Sequence, residues 1–239
     1  MDMQEAVDNF ANAMTHCDNL IKVHKAAGDG GRGRRTTETS VNRGTIVLAV
    51  AAWQAFVQDA AMALRDEALV ESRATPPNSR LLHAAMRQWE IDFNAVLEKF
   101  STPGPDQTVS LLKRVGFNPM PSWTWTQRGG RGKQDVLVEP KHVAEVIKQW
   151  LRVRHDVAHG HSTIHSLPIL GAVRDPSSSA AAKAAPTLRL DDAEDCVKFF
   201  RSVVRLTAEA GAGHVGAPAP TWEKTPTLAL GLHISNLTP

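Results

Sequence analysis

Apolar residues recur at three- and four-residue steps along most of the chain, which is the spacing of amphipathic helices. The first such segment runs from about residue 4 to residue 27, where Gly28–Asp29–Gly30–Gly31 interrupts it. A second helix is predicted from residues 37–39 to about residue 72, and its middle, residues 46–53, is apolar on every face. Because a helix without a polar face must be covered on all sides, we expect this one at the centre of a bundle.

Four further helices follow from the same pattern. A strongly amphipathic one covers about residues 82–100, and a shorter one runs from Asp106 to about residue 115. Pro140 suits the first turn of a third, which continues to the region of His159–Gly160. Asp191 and Glu194 have the spacing of a capping box at the start of the last helix, which is predicted to stop at Gly211.

Three segments lack this periodicity. Residues 116–139 are predicted to form an exposed loop with Trp123 and Trp125 at its edge, and the Ser/Ala/Pro-rich stretch 174–187 a flexible insert. The Gly/Ala/Pro-rich tail, residues 212–239, is predicted either to be disordered or to dock through 227–234 as a strand. The sequence therefore predicts an all-α domain over residues 1–211, with two insertions, followed by a tail.

The composition places the chain in the cytoplasm. Its hydrophobic fraction of 42% and charged fraction of 22% are ordinary for a water-soluble protein. Cys17 and Cys196 have neither metal-ligand spacing nor the surroundings of a nucleophile, which indicates a reducing compartment. The acidic start of the chain is unlike a signal peptide, and the longest apolar run, residues 45–57, is shorter than a membrane span. We expect no membrane partner.

The net charge of +2 is too small to indicate a nucleic-acid partner, but basic residues are grouped locally. Two groups are candidates for binding a phosphate backbone, and two solvated loops remain the alternative explanation. The candidate residues are Arg32, Arg34, Arg35, Arg128, Arg131 and Lys133. The stretch 128–132 is similar to one copy of an RGG-type RNA-binding sequence, whereas the glycine-rich stretch 28–33 lacks the residues of a phosphate-binding P-loop.

The segment from Trp150 to His161 carries the most unusual residues in the chain. Extending the apolar stripe of its helix places Arg154 on the core side, where a guanidinium needs partners. His155 and His159 are four residues apart and therefore share a face. Asp156 is expected to pair locally with Arg152 or Lys148.

Arg154–His155–Asp156–Val157–Ala158–His159 resembles the motif of HEPN domains, an arginine followed after four to six residues by a histidine. The stretch from Asn42 to Asp59 is similar to the long second helix of the RiboL-PSP-HEPN subgroup. This resemblance implies a helical bundle that forms a homodimer, in which the motifs of two subunits face each other and make a composite ribonuclease site. It also implies a role in bacterial defence or as a toxin, with a cognate antitoxin or inhibitor.

In such a site no metal or other cofactor is needed. His159 would transfer a proton as the ribose 2′-hydroxyl attacks the phosphorus, and Arg154 would stabilise charge on the phosphate oxygens. His155 would orient one of these two side chains or the phosphate. Because Arg154 and His159 lie about 140° apart on a regular helix, either the helix ends near His159 or a second subunit completes the site.

Two other functions fit the same residues. A metal hydrolase would use the histidines at 155, 159, 161 and 165, and His155–Asp156 is similar to the His–Asp pair of HD-type phosphohydrolases. That family needs further ligands, for which His83 and Asp191 or Asp192 are the candidates. The second alternative is a catalytically silent HEPN domain that binds a protein or a nucleic acid.

Overall fold

The protein is all-α, as the apolar periodicity predicts. In a computed structural model, which describes residues 1–27, 36–74, 80–101, 103–128 and 134–237, helices predominate over one short β-hairpin. The helices are α1 (Met3–Ala27), α2 (Thr36–Ala74), α3 (Arg80–Glu98), α4 (Pro105–Lys113), α5 (Pro140–Ala158), α6 (Gly171–Arg174), α7 (Ala180–Ala184) and α8 (Leu190–His214). The hairpin pairs β1 (Trp125–Gln127) with β2 (Val136–Val138) in antiparallel register, with Trp125 opposite Val138.

Helix α2 is the centre of the fold, packed against α1, α5 and α8. Trp53 is fully buried there, stacks on Phe56 and Phe200, and donates its indole N–H to the Pro103 carbonyl at 2.9 Å. The prediction of a central helix is confirmed, but one stripe of its apolar middle, which includes Leu48, remains exposed. By length and composition alone, residues 38–70 of α2 could cross a membrane; 56% of their most apolar window is buried inside the protein.

Helix α3 has the predicted amphipathic pattern, yet the protein covers little of its apolar side. Phe93 is buried and stacks on Trp89, whereas Leu81, Leu82 and Ile91 are exposed. The helix therefore packs through its last two turns.

The segment 116–139 was wrongly predicted to be an exposed loop. Its described residues include a short 3₁₀ turn and both hairpin strands, and Trp123 and Trp125 are buried. The indole N–H of Trp123 donates to the Thr207 hydroxyl on α8 at 2.9 Å. Because long-range packing of this kind leaves no local periodicity, the sequence pattern does not reveal it.

The C-terminal residues also pack on the helices. Leu230 is fully buried, and its backbone N–H donates to the Gln127 side chain at 2.8 Å. The backbone N–H of Ala229 donates to the Ser202 hydroxyl at 2.9 Å. The tail is thus part of the fold through residue 237, and it docks without forming a β-strand in the part that is described.

Two boundaries of α8 differ from the prediction. The helix continues to His214, beyond Gly211. Its N-terminal carboxylate is Asp192, not the predicted pair of Asp191 and Glu194: Asp192 accepts the backbone N–H groups of Arg189 and Gly171, each at 2.7 Å. The bond from Gly171 joins the start of α8 to the start of α6. The segment 174–187, predicted to be a flexible insert, contains the short helix α7.

Candidate functional site

The candidate site is built on the C-terminal end of α5. Pro140 occupies the first turn as predicted, and a buried stripe that includes Ile147, Trp150 and Val153 fixes the helix against the core. The helix ends at Ala158, and Gly160 follows in the left-handed conformation with a φ of +68°. This conformation favours glycine and reverses the chain.

The reversal is a Schellman motif. The backbone N–H of His161 donates to the Asp156 carbonyl at 2.9 Å, and that of Gly160 to the Val157 carbonyl at 3.1 Å. The motif brings His161 back beside the last turn of α5. Residues 161–165 therefore lie against the helix end that carries His155 and His159.

The Asp156 carboxylate anchors this segment. It is fully buried and accepts three hydrogen bonds: from the His165 backbone N–H at 2.9 Å, from His165 Nδ1 at 2.7 Å and from His161 Nδ1 at 3.2 Å. The guanidinium of Arg152 lies 2.6 Å from His165 Nε2. Since an arginine can only donate, Nε2 is the acceptor and the proton of a neutral His165 is on Nδ1, facing Asp156.

These contacts keep Asp156 ionised. Burial alone would raise the pKa of the carboxyl group, but the hydrogen bonds from His165 and His161 outweigh it and hold the pKa below its usual value. The predicted local ion pair is present at the limit of contact, with Arg152 Nε 3.9 Å from the carboxylate. Asp156 thus acts as a fixed negative charge beneath the histidines.

Three exposed imidazoles surround the helix end. The ring centroids of His155 and His159 are 4.2 Å apart, which confirms that they share a face, and the His161 ring lies 6.1 Å from each. Desolvation, followed by electrostatic repulsion between the charged form of His155 and His159, Arg152 and His161, lowers the pKa of His155. The shift favours the uncharged form of His155 more than in an ordinary imidazole.

Arg154 makes no hydrogen bond to these rings. The core positions belong to Val153 and Asp156, and Arg154 is half-buried at the edge of the stripe, so its predicted place on the core side was wrong. Within the described residues its guanidinium makes no hydrogen bond or ion pair. The structure brings His155 and His159 together but does not join Arg154 to either of them.

The histidines at 155, 159, 161 and 165 are the ligands that the metal-hydrolase alternative would use. No group of three His, Cys, Asp or Glu residues in the described part of the chain has metal-binding geometry. His161 and His165 direct their Nδ1 atoms at Asp156, and Asp192 is occupied in capping α8. The two cysteines are buried free thiols, and burial raises the pKa of Cys17 to about 11, which suits packing rather than ligation.

Most of the predicted RNA-binding residues cannot be placed. Arg128 is exposed just after β1. The other five lie outside the described residues: Arg32, Arg34, Arg35, Arg131 and Lys133.

The sequence interpretation missed the joint role of Asp156 and His161. The available signal was Gly160, because a glycine one residue beyond a helix end indicates a Schellman motif. Such a motif predicts that the next residue, His161, returns to the last turn of the helix.

Comparison of the chain with protein-family models, with curated proteins and with solved structures finds no match in any of the three. The function is therefore inferred from the geometry of the site.

Proposed function

We propose that this protein is a metal-independent endoribonuclease of the HEPN type. The observation that carries the proposal is the group of three exposed imidazoles at the end of α5, whose ring centroids lie within 6.1 Å of one another and one of which, His161, is hydrogen-bonded to the buried Asp156 carboxylate. Cleavage of RNA without a metal needs a base for the 2′-hydroxyl and an acid for the leaving 5′-oxygen. Histidine is the side chain best suited to both roles near neutral pH.

The roles follow from the charges of the side chains. His159, exposed at the helix end, accepts the proton of the 2′-hydroxyl as its oxygen attacks the adjacent phosphorus. The bond from phosphorus to the 5′-oxygen breaks, and that oxygen takes up a proton from a second, protonated imidazole or from water and leaves as a 5′-hydroxyl. His155, with its lowered pKa, orients one of the other two site residues, His159 or Arg154, or the phosphate. Arg154 stabilises the negative charge on the phosphate oxygens, because its guanidinium is permanently charged and has no carboxylate partner in the described chain. The products carry 2′,3′-cyclic phosphate and 5′-hydroxyl ends.

A homodimer explains how Arg154 contributes. It and His159 are five residues apart, which separates them by about 140° around an ideal helix, so one subunit does not direct both at the same phosphate. In a two-fold dimer with the two α5 ends facing each other, Arg154 of one subunit reaches the histidines of the other. A cytoplasmic toxin or defence effector, held in check by a cognate inhibitor, fits such an enzyme.

The test is cleavage of a mixed RNA substrate in EDTA by the wild type and by His159→Ala, with analysis of the product ends. We expect cyclic-phosphate ends from the wild type and a loss of turnover of about 10²–10⁴-fold in the variant, typical of a proton-transfer residue. Activity that EDTA abolishes and Mn²⁺ or Zn²⁺ restores would favour the metal hydrolase instead. Equal activity of the two proteins would remove His159 from the mechanism.

The second candidate is a catalytically silent HEPN module that binds a protein or a nucleic acid. The separation of Arg154 from the imidazoles in one subunit favours it, because a chain that does not form the composite site lacks part of its charge stabilisation. RNA binding without turnover at any protein concentration would support this function.

A further inference from the structure

A cavity beside the candidate active site contains an arginine without a partner in the described residues. The cavity between the start of α2 and residues 185–190 has a volume of about 690 Å³, and we call it the Arg43 cavity. Arg43 and His24 line it, together with Ser162 and Thr163. The last two also line a smaller depression that His161 and His165 border, so the Arg43 cavity adjoins the histidine end of α5.

Arg43 is unusual among the arginines of this protein. Six arginines in the described residues are half-buried, and four of them contact a carboxylate: Arg65 with Asp66, Arg174 with Asp195, Arg201 with Asp18, and Arg205 with Glu209. Arg43 makes no hydrogen bond or ion pair within the described chain, and its buried Nε has no acceptor. Because leaving the buried Nε of a guanidinium without an acceptor is costly, this position is suited to an anion that comes from outside the chain.

The surroundings support an anionic ligand. His24 Nδ1, on the same cavity, is also buried without a partner. Glu38 lines the cavity too, but it already has a polar interaction of its own. The neighbour of Arg43, the buried Asn42, donates to the Leu188 carbonyl at 3.1 Å and so ties α2 to the opposite wall. This bond fixes the two walls of the cavity relative to each other, with Arg43 on one of them.

We propose that the Arg43 cavity binds a backbone phosphate of the RNA, next to the phosphate that is cleaved. This rests on the proposed function. The guanidinium supplies paired donors for the phosphate oxygens. Ser162 and Thr163 line the surface along which the RNA strand would extend from the cavity to His161. The site would hold the substrate in register without taking part in proton transfer.

The experiment measures binding separately from cleavage. A fluorescent 2′-O-methyl RNA, which lacks the attacking hydroxyl, is titrated with the wild type, Arg43→Gln, Arg43→Lys and Arg114→Gln over a range of KCl concentrations. Arg114→Gln is the matched control, because it removes one exposed positive charge outside the cavity. Melting curves establish that every variant is folded.

We expect Arg43→Gln to weaken binding about tenfold and to reduce the slope of log affinity against log salt by about one. Arg43→Lys should keep the slope, since it keeps the charge, and Arg114→Gln should change affinity less than about twofold. If Arg43→Gln binds like the wild type, the phosphate site is refuted, even where the wild type cleaves RNA. If binding depends on Arg43 but no RNA is cleaved, the site stands and the nuclease proposal fails. An absence of RNA binding by the wild type would refute both.

Discussion

Replacing Asp156 by asparagine tests whether the buried carboxylate holds the site together. The change keeps the size of the side chain but removes the charge to which the three hydrogen bonds from His161 and His165 are made. A hydrogen bond to a charged group is stronger than a neutral one by about 1 kcal/mol. Over three bonds this is roughly 3 kcal/mol. A neutral amide costs less to bury than a carboxylate, and this difference offsets part of the loss, so we expect a net destabilisation of roughly 2–3 kcal/mol.

The loss should depend on pH in a defined direction. The folded state lowers the pKa of Asp156, so its ionised form stabilises the fold above the unfolded pKa of about 3.9. This contribution disappears as the pH falls through the lower, folded-state pKa. The free energies of unfolding of the wild type and Asp156→Asn should therefore differ most at neutral pH and converge below about pH 4.

Urea denaturation followed by circular dichroism measures both effects. Asp92→Asn is the control, because that carboxylate is exposed on α3 and, among the described residues, is hydrogen-bonded only to Gln88. It should change stability by less than about 0.5 kcal/mol. Nitrogen-15 NMR of the wild type should also show neutral His165 protonated on Nδ1. Stability of Asp156→Asn equal to that of the wild type at pH 7, or His165 protonated on Nε2, would refute the reasoning.

Three further predictions concern the same elements. Gly160→Ala should lose about 1–2 kcal/mol in urea denaturation because φ is +68°, whereas Gly213→Ala, within α8 and with open space around it, should not be destabilised. Ser202→Ala removes the side chain that accepts the tail backbone at residue 229, and limited proteolysis should release the tail faster than in the wild type. Mixing inactive Arg154→Ala with inactive His159→Ala should restore up to about a quarter of wild-type RNA cleavage, since random exchange leaves one intact composite site in half of the dimers; no recovery would contradict the shared site.

Local sequence signals were enough to predict the helices that carry the site. The apolar spacing and Pro140 identify α5, and the four-residue step from His155 to His159 predicts their contact, which is confirmed at 4.2 Å. These features depend only on the geometry of one helix. Its end was predictable as well, because Gly160 allows the left-handed turn that the structure contains.

The parts that were not predicted depend on contacts between distant segments. Asp156 is buried because residues 161–165 fold over it, and Trp123 because α8 supplies Thr207 as its partner. Arg154 was placed on the core side because the apolar stripe was extended by one wrong step, and Val153 takes that position. A one-residue difference in a helical stripe rotates a side chain by about 100°, enough to move it from the core to the edge.

The candidate active site and the Arg43 cavity each contain a half-buried arginine that has no carboxylate partner among the described residues. Where a half-buried guanidinium serves the fold of this protein, a carboxylate lies within 3.5 Å of it, as Arg65, Arg174 and Arg201 show. Arg154 and Arg43 have comparable exposure and no such partner within the described chain. The protein contains 25 acidic residues, so the two arginines are not unpaired for lack of carboxylates in the sequence. One of these guanidinium groups, that of Arg154, is on the helix that carries the histidines, and the other, that of Arg43, is beside the loop that follows this helix. Two such positive groups without carboxylate partners in the described residues are the arrangement expected of a surface that binds a polyanion.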